Sequence, residues 1–318
     1  MKDKNVIVTG GLGFIGSHLT DRLLENGNKV TVIDDCSTGS INNLTMKDHE
    51  NLKIIKGSIT NLDLEKIFKG KDYIFHQAAL ASVEESIKNP IKCHEINATG
   101  TLKILQAAKK CNIIKVLHAS TSAVYGDNPN IPLNENENPK PLSPYAASKV
   151  SAESYCHVYT QCYGLKTVSL RYFNVFGPRQ NPKLEYAAVI PRFINAILSG
   201  ERPIIYGNGN QTRDFIYVED IVEANLLLAE SKFTGPVNIA TGESITINKL
   251  LELIEDILDV DIKPIYHDPR PGDIIESRAD IGLLKSLGFK KITKLKSGLE
   301  KTIEWYKEEK TRLGGILD

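Results

Sequence analysis

Tyr145 and Lys149 stand four residues apart in Ser143-Pro144-Tyr145-Ala146-Ala147-Ser148-Lys149. In a helix, positions i and i+4 share a face, which brings the ammonium near the phenol and favours its ionised form. A phenol of ordinary pKa, about 10, can then act as a base near neutrality. A glycine-rich turn follows the first apolar run upstream, and the two features together propose a nicotinamide oxidoreductase site. Spacing alone does not decide this. Tyr306 and Lys310 repeat it in a charged C-terminal helix, where a solvated face is expected.

The turn is Thr9-Gly10-Gly11-Leu12-Gly13-Phe14-Ile15-Gly16. Gly10 permits a tight turn, Gly13 lets backbone approach a pyrophosphate, and Gly16 allows close helix packing; the helix N-terminus then faces the anion. Asp34 closes the second apolar run, about twenty residues on, where a carboxylate accepts both adenosine ribose hydroxyls and repels a 2'-phosphate. That favours NAD over NADP. Asp35 is the alternative ribose ligand, with Ser37, Thr38 and Gly39 offering further polar groups nearby.

These residues need a sheet to hold them. Short β-branched runs at Val6 to Thr9, Lys29 to Asp34, Lys53 to Lys56, Tyr73 to His76, Val116 to Ser120 and Thr167 to Tyr172 alternate with amphipathic stretches. The longest of those stretches are His18 to Glu25, His94 to Cys111 and Tyr145 to Tyr163. The rhythm predicts an α/β fold of Rossmann type, a doubly wound parallel sheet with helices on both faces. After Gly177-Pro178 the elements shorten, with helices predicted at Val189 to Ser199 and Ile247 to Leu258. A smaller, partly interleaved C-terminal α/β substrate domain is expected there. Residues 1–176 with about 212–241 form the cofactor domain, and 177–211 with 242–318 the second.

The 318 residues can bury a full core, and 39 basic residues balance 39 acidic ones. No global charge draws the chain to nucleic acid or to an acidic membrane. Five cysteines without Cys-x-x-Cys spacing favour neither zinc nor a disulfide framework, so a reducing cytoplasm is expected. The start, Met1-Lys2-Asp3-Lys4, runs straight into an apolar strand, so no secretion signal is expected, and no apolar run reaches membrane-spanning length. His76 and His118 lie in apolar strand contexts and read as core groups rather than metal ligands.

With these parts in order, the chain resembles the extended short-chain dehydrogenase/reductase family and, within it, the UDP-hexose 4-epimerases. The resemblance spans nearly the whole chain. It rests on Thr9 to Gly16, His76-Gln77-Ala78-Ala79, Asn97, Ser120-Thr121-Ser122, Tyr125-Gly126, Tyr145 with Lys149, Arg171 to Gln180, Gln211 to Phe215, and Arg270-Pro271-Gly272-Asp273. It implies that Tyr145 takes the proton of the sugar 4-hydroxyl while Lys149 holds the nicotinamide ribose. Thr121, or Ser122 beside it, shares that proton. NAD contacts are implied for Gly10, Gly13, Phe14, Ile15, Gly16, Asp34, Asp35, Ser37, Thr38, Gly39, Ser58, Ile59, Gln77, Ala78, Ala79, Asn97, Ser120, Tyr145, Lys149, Tyr172, Phe173 and Val175. Substrate contacts are implied for Ser82, Thr121, Ser122, Tyr145, Asn174, Ala188, Val189, Tyr206, Arg213, Arg270, Asp273 and Ser277. Arg213 and Arg270 are the diphosphate candidates, because a guanidinium fork suits phosphate oxygens.

Three positions refine the resemblance. Family members usually carry Gly-Asp where this chain has Gly57-Ser58, and serine binds the adenine amino group more weakly than a carboxylate does. Ser122 and Ala123 stand where the family's 4,6-dehydratases carry an Asp-Glu pair, which disfavours dehydration. Ser277 occupies the position that flanks the sugar 2-substituent; a small residue there leaves space for an N-acetyl group. The expected activity is a UDP-glucose or UDP-N-acetylglucosamine 4-epimerase, with NAD tightly bound and regenerated. UDP-glucuronate epimerisation or decarboxylation is the alternative chemistry on the same scaffold, and a non-catalytic NAD-binding regulator the alternative of another class. The resemblance also implies a homodimer formed through the helices around His94 to Cys111 and Tyr145 to Tyr163.

Overall fold

The β-branched runs become neighbours in one sheet. The structure, a computed structural model, describes residues 1–181, 188–269, 274–290 and 292–314. In chain order its first part comprises β1 (Asn5–Thr9), α1 (Phe14–Glu25), β2 (Lys29–Asp34), β3 (Leu52–Lys56), α2 (Leu64–Phe68), β4 (Tyr73–His76), α3 (Val83–Lys88) and α4 (Pro90–His94). There follow α5 (Gly100–Lys110), β5 (Lys115–Thr121), α6 (Pro144–Tyr163), β6 (Lys166–Tyr172), β7 (Asn174–Phe176), α7 (Val189–Leu198), β8 (Ile204–Tyr206) and β9 (Thr212–Arg213). The last part is β10 (Phe215–Tyr217), α8 (Val218–Glu230), β11 (Gly235–Ile239), β12 (Ile245–Thr246), α9 (Ile247–Leu258), β13 (Ile265–His267), α10 (Gly282–Ser286) and α11 (Leu295–Gly314).

Seven strands form a parallel sheet in the order β11-β6-β5-β4-β1-β2-β3. The winding reverses between β1 and β4, and such a switch point opens a crevice at the carboxyl ends of the strands. Both faces of the sheet are covered, so β1 carries Val6, Ile7 and Val8 with no exposed surface. A polar row crosses this apolar sheet: Thr9 pairs with His76, His76 with His118, and His118 with Ser169. Helices α4 and α5 are one rod interrupted by a π-helical turn at Glu95–Thr99, which buries Asn97.

A second apolar cluster gathers Phe176, Phe193, Ile194, Tyr217, Leu250, Ile254, Leu299, Ile303 and Tyr306 from α7, α9, α11 and the short strands. Those strands pair as β7 with β10, β8 with β13, and β9 with β12. The chain rejoins the first layer at α8, whose Ile221, Val222 and Leu226 pack in the main core, whereas Phe215, Tyr217 and Val218 belong to the second cluster. Tyr306 corrects an expectation: it lies in the core of that cluster, not on a solvated face, and its hydroxyl donates to the Gln180 carbonyl. Helix periodicity explains the error, since Leu299, Ile303 and Tyr306 form one apolar stripe within an otherwise charged sequence. Among the described residues no helix is long and apolar enough to cross a membrane.

Candidate active site

The glycine turn is shaped by close approach. Gly10 has φ +67°, and a Cβ there would lie 2.7 Å from the Ala78 nitrogen; one on Gly16 would lie 2.0 Å from the Gly10 oxygen. No side chain caps α1 and no acid occupies its first turn, so its N-terminal N–H groups remain for an anion. Asp34 is buried beside this turn, its Oδ2 accepting from the Leu12 N–H at 2.9 Å and its Oδ1 from that of Cys36 at 2.8 Å. Burial raises its pKa and the two N–H groups oppose the rise. Asp35 is exposed and accepts from the Ser37 N–H, while Gly39 lies so close to Leu12 that a Cβ would be 2.7 Å from its carbonyl carbon. This narrow, uncapped cradle with a carboxylate at its edge fits a dinucleotide pyrophosphate and ribose.

The strand ends on the other side of the switch point are tied by amides. Asn97 accepts from the Leu80 N–H at 2.8 Å and donates to the Leu80 carbonyl at 3.0 Å and to Ser148 Oγ at 3.0 Å, fixing the loop that carries Gln77, Ala78 and Ala79. Gln77 donates to Tyr172 Oη at 3.1 Å, and Asn225 of α8 donates to the same oxygen at 2.8 Å. Ser58 pairs with Thr60 at 2.8 Å, Ile59 is buried, and Phe173 is buried with its ring 6.4 Å from that of Tyr125. Val175 is half-buried at the seam of the two clusters.

Helix α6 begins where Ser143 accepts from the Ala146 N–H and Pro144 occupies the first turn, which sets Tyr145 at its start. Its phenol faces the Thr121 hydroxyl at the end of β5; burial pushes the phenol up to about 12, and the Thr121 hydroxyl works against that. Ser122 opens the 3-10 turn that follows, and Thr121 Oγ1 also accepts from the Ala123 N–H at 3.1 Å. Lys149 is buried one turn later. Its ammonium donates to the Ala119 carbonyl at 2.7 Å, and burial lowers its pKa to about 8. The sequence therefore places the pair on one face as expected, but burial raises the phenol pKa rather than Lys149 lowering it.

One turn beyond Lys149, Glu153 accepts from Ser120 Oγ and from Arg171 Nη2 at 2.8 Å; Arg171 also donates to Tyr125 Oη at 2.9 Å, which donates to Asn238 Oδ1 at 2.6 Å. This network escaped the sequence reading, although the spacing Tyr145, Lys149, Glu153 is a signal for it. Beneath it His76 lies 2.7 Å from Thr9 Oγ1 and 2.9 Å from Thr101 Oγ1, and the His118 ring is 5.6 Å away. Burial first, and then the Lys149 charge, press His76 down to about 3 and lower His118 as well. His18 in α1 is pressed to about 4 by burial and by Arg179, its Nε2 3.0 Å from the Pro178 carbonyl oxygen.

The remaining substrate candidates lie on the short strands, at helix starts, or outside the described residues. Asn174 donates to the Asp214 carbonyl at 3.1 Å, and Arg213 donates to the Ile274 carbonyl at 2.6 Å. The Tyr206 ring lies tilted 5.9 Å from that of His267, with the Arg192 guanidinium 5.2 Å from its centroid. Ser82 caps α3 by accepting from the Glu85 N–H, Ala188 and Val189 begin α7, and Ser277 is buried. Arg270 and Asp273 fall outside the described residues.

A switch-point cradle beside a Tyr–Thr–Lys constellation defines a nicotinamide-dependent enzyme. The chain belongs to the NAD dependent epimerase/dehydratase family, whose model matches residues 6–240, and NAD is the family's cofactor. A UDP-N-acetylglucosamine 4-epimerase of Methanobrevibacter ruminantium, solved in complex with UDP-N-acetylmuramic acid, is 54% identical, with a TM-score of 0.95 over 97% of this chain and 100% of that one. A UDP-glucuronic acid 4-epimerase of Bacillus cereus, solved with UDP-glucuronic acid and NAD, is 32% identical, with a TM-score of 0.89 over 96% and 99%. A UDP-glucose 4-epimerase of Mycolicibacterium smegmatis is 36% identical over 310 residues, 95% of this chain and 98% of its own.

Proposed function

We propose that the protein is a UDP-hexose 4-epimerase that interconverts UDP-glucose with UDP-galactose and UDP-N-acetylglucosamine with UDP-N-acetylgalactosamine. The observation that carries this reading is the Tyr145 phenol on the Thr121 hydroxyl at the end of β5, followed by Ser122 and Ala123 rather than acids. The small Ser277 and the 54% identity to a UDP-N-acetylglucosamine 4-epimerase support acceptance of the N-acetylated pair. A homodimer belongs to the same reading.

When bound, NAD would accept the hydride from C4 of the sugar, return it to the opposite face, and bring a positive ring charge that lowers the phenol pKa. Tyr145 takes the 4-hydroxyl proton onto its Oη and gives it back after the 4-keto sugar has turned. Thr121, whose hydroxyl faces the phenol, shares that proton. Lys149, held at the Ala119 carbonyl, is the residue for the nicotinamide ribose. Asn174 and Arg213 serve the diphosphate. Proton and hydride both return, so no external reductant is consumed.

The test incubates purified enzyme with UDP-glucose, UDP-N-acetylglucosamine and UDP-glucuronate separately, without added NAD, and resolves the products by chromatography. The galacto epimers of the first two are expected. Conversion of UDP-glucuronate alone, with or without loss of carbon dioxide, would favour the alternative chemistry; the Bacillus cereus relative is a UDP-glucuronic acid 4-epimerase. No conversion of any of them would sink the enzymatic reading.

A further inference from the structure

We propose that Asp214 is a positioning residue of the sugar site, whose carboxylate fixes where the segment carrying Ser277 lies relative to Asn174 and Arg213. The proposal rests on the UDP-sugar reading above. Asp214 is fully buried between β9 and β10. Its Oδ1 accepts from the Thr241 N–H at 2.9 Å and the Thr241 hydroxyl at 2.7 Å; its Oδ2 accepts from the Gly242 N–H at 2.9 Å and the Ala279 N–H at 3.3 Å. Burial raises the Asp214 pKa; the four donors oppose that rise and hold the carboxylate in one orientation.

The partners make the residue more than a structural clamp. Ala279 lies two positions past Ser277, and the Thr212 N–H donates to the Ile275 carbonyl at 3.0 Å two positions before it, so Ser277 is fastened on both sides. The Asp214 carbonyl accepts from both the backbone and the side-chain nitrogen of Asn174, each at 3.1 Å. Neighbouring Arg213 reaches the same segment through the Ile274 carbonyl at 2.6 Å. One residue thus links the candidate groups for the diphosphate to the wall that faces the sugar 2-substituent. A hydroxyl and an acetamido group differ in size at that wall, so a displaced wall must register in the choice between them.

Steady-state kinetics of the purified protein with its own NAD would test this, comparing UDP-N-acetylglucosamine and UDP-glucose in wild type, Asp214→Asn and Thr241→Val. Asparagine keeps the volume but turns an amino group towards N–H donors. Its KM for UDP-N-acetylglucosamine should rise about tenfold and the ratio of kcat/KM between the two sugars should move about fivefold, with bound NAD at the wild-type level. Thr241→Val removes one of the four bonds and should raise KM in the same direction by roughly threefold, even if the asparagine variant fails to fold. Unchanged KM and sugar ratio in whichever variants fold would overturn the proposal, as would a loss of bound NAD and kcat with KM unmoved. A wild type that converts neither sugar defeats the functional reading and the proposal with it.

Discussion

A tyrosine base is only as good as the charge around it. Burial holds the Tyr145 phenol up at about 12 against the opposing Thr121 hydroxyl, and Lys149 donates its ammonium to the Ala119 carbonyl. Deprotonation near neutrality needs a further positive charge at the phenol. Tyr145→Phe keeps the ring and removes only the proton-accepting oxygen. Turnover should fall about a hundredfold or more, with fold and bound NAD retained, as read by product chromatography and cofactor released on denaturation. Near-normal turnover would place the base elsewhere. The sequence disclosed Tyr145 and Lys149 because helical spacing is local, and it disclosed Asp34 because a strand end is local too. Asn225 and Asn238 were hidden, since their partners Tyr172 and Tyr125 are brought to them only by the sheet order.

Between elements, the pair Glu153 and Arg171 joins α6 to β6, with side chains 10% and 4% exposed. Glutamate on a helix ordinarily reads as a solvated group, and its arginine lies on another element, so neither was legible as a pair. Glu153→Ala leaves a buried guanidinium without its counter-ion and should lower stability by about 3–5 kcal/mol in urea unfolding. Replacing both partners by apolar residues of similar volume should recover most of that loss. A single-variant loss below about 1 kcal/mol would mean the pair is effectively solvated. The first six strands of the sheet were legible from their β-branched runs, whereas β11 was not read because Gly235-Pro236 opens it and masks the run Val237 to Ile239.

Across the whole molecule, Ile87, Ile91, Tyr155 and Val158 remain 41% to 75% exposed on α3, α4 and α6. The homodimer reading pairs the helices around His94 to Cys111 and Tyr145 to Tyr163, the second of which carries Tyr155 and Val158, and helical periodicity could not separate that pairing from sheet packing. Light scattering should give the mass of two chains for wild type and of one for Val158→Asp, which sets a carboxylate in the apolar contact; a wild-type monomer would remove the dimer from the reading. The buried imidazoles have a different bearing, on protons taken up as the chain opens. His18 and His76 are held near 4 and 3, and His118 is lowered too, whereas an unfolded imidazole titrates near 6.5. Between those values the unfolded chain binds more protons than the native one, so stability rises with pH there and is lost as the solution is acidified below about 6.5. The melting temperature should fall from pH 7.5 to 5.5, and a flat or rising trend would show that these side chains are not neutral and buried in solution. The row of polar side chains that crosses the apolar sheet would thereby make mild acid an unfolding agent for this protein.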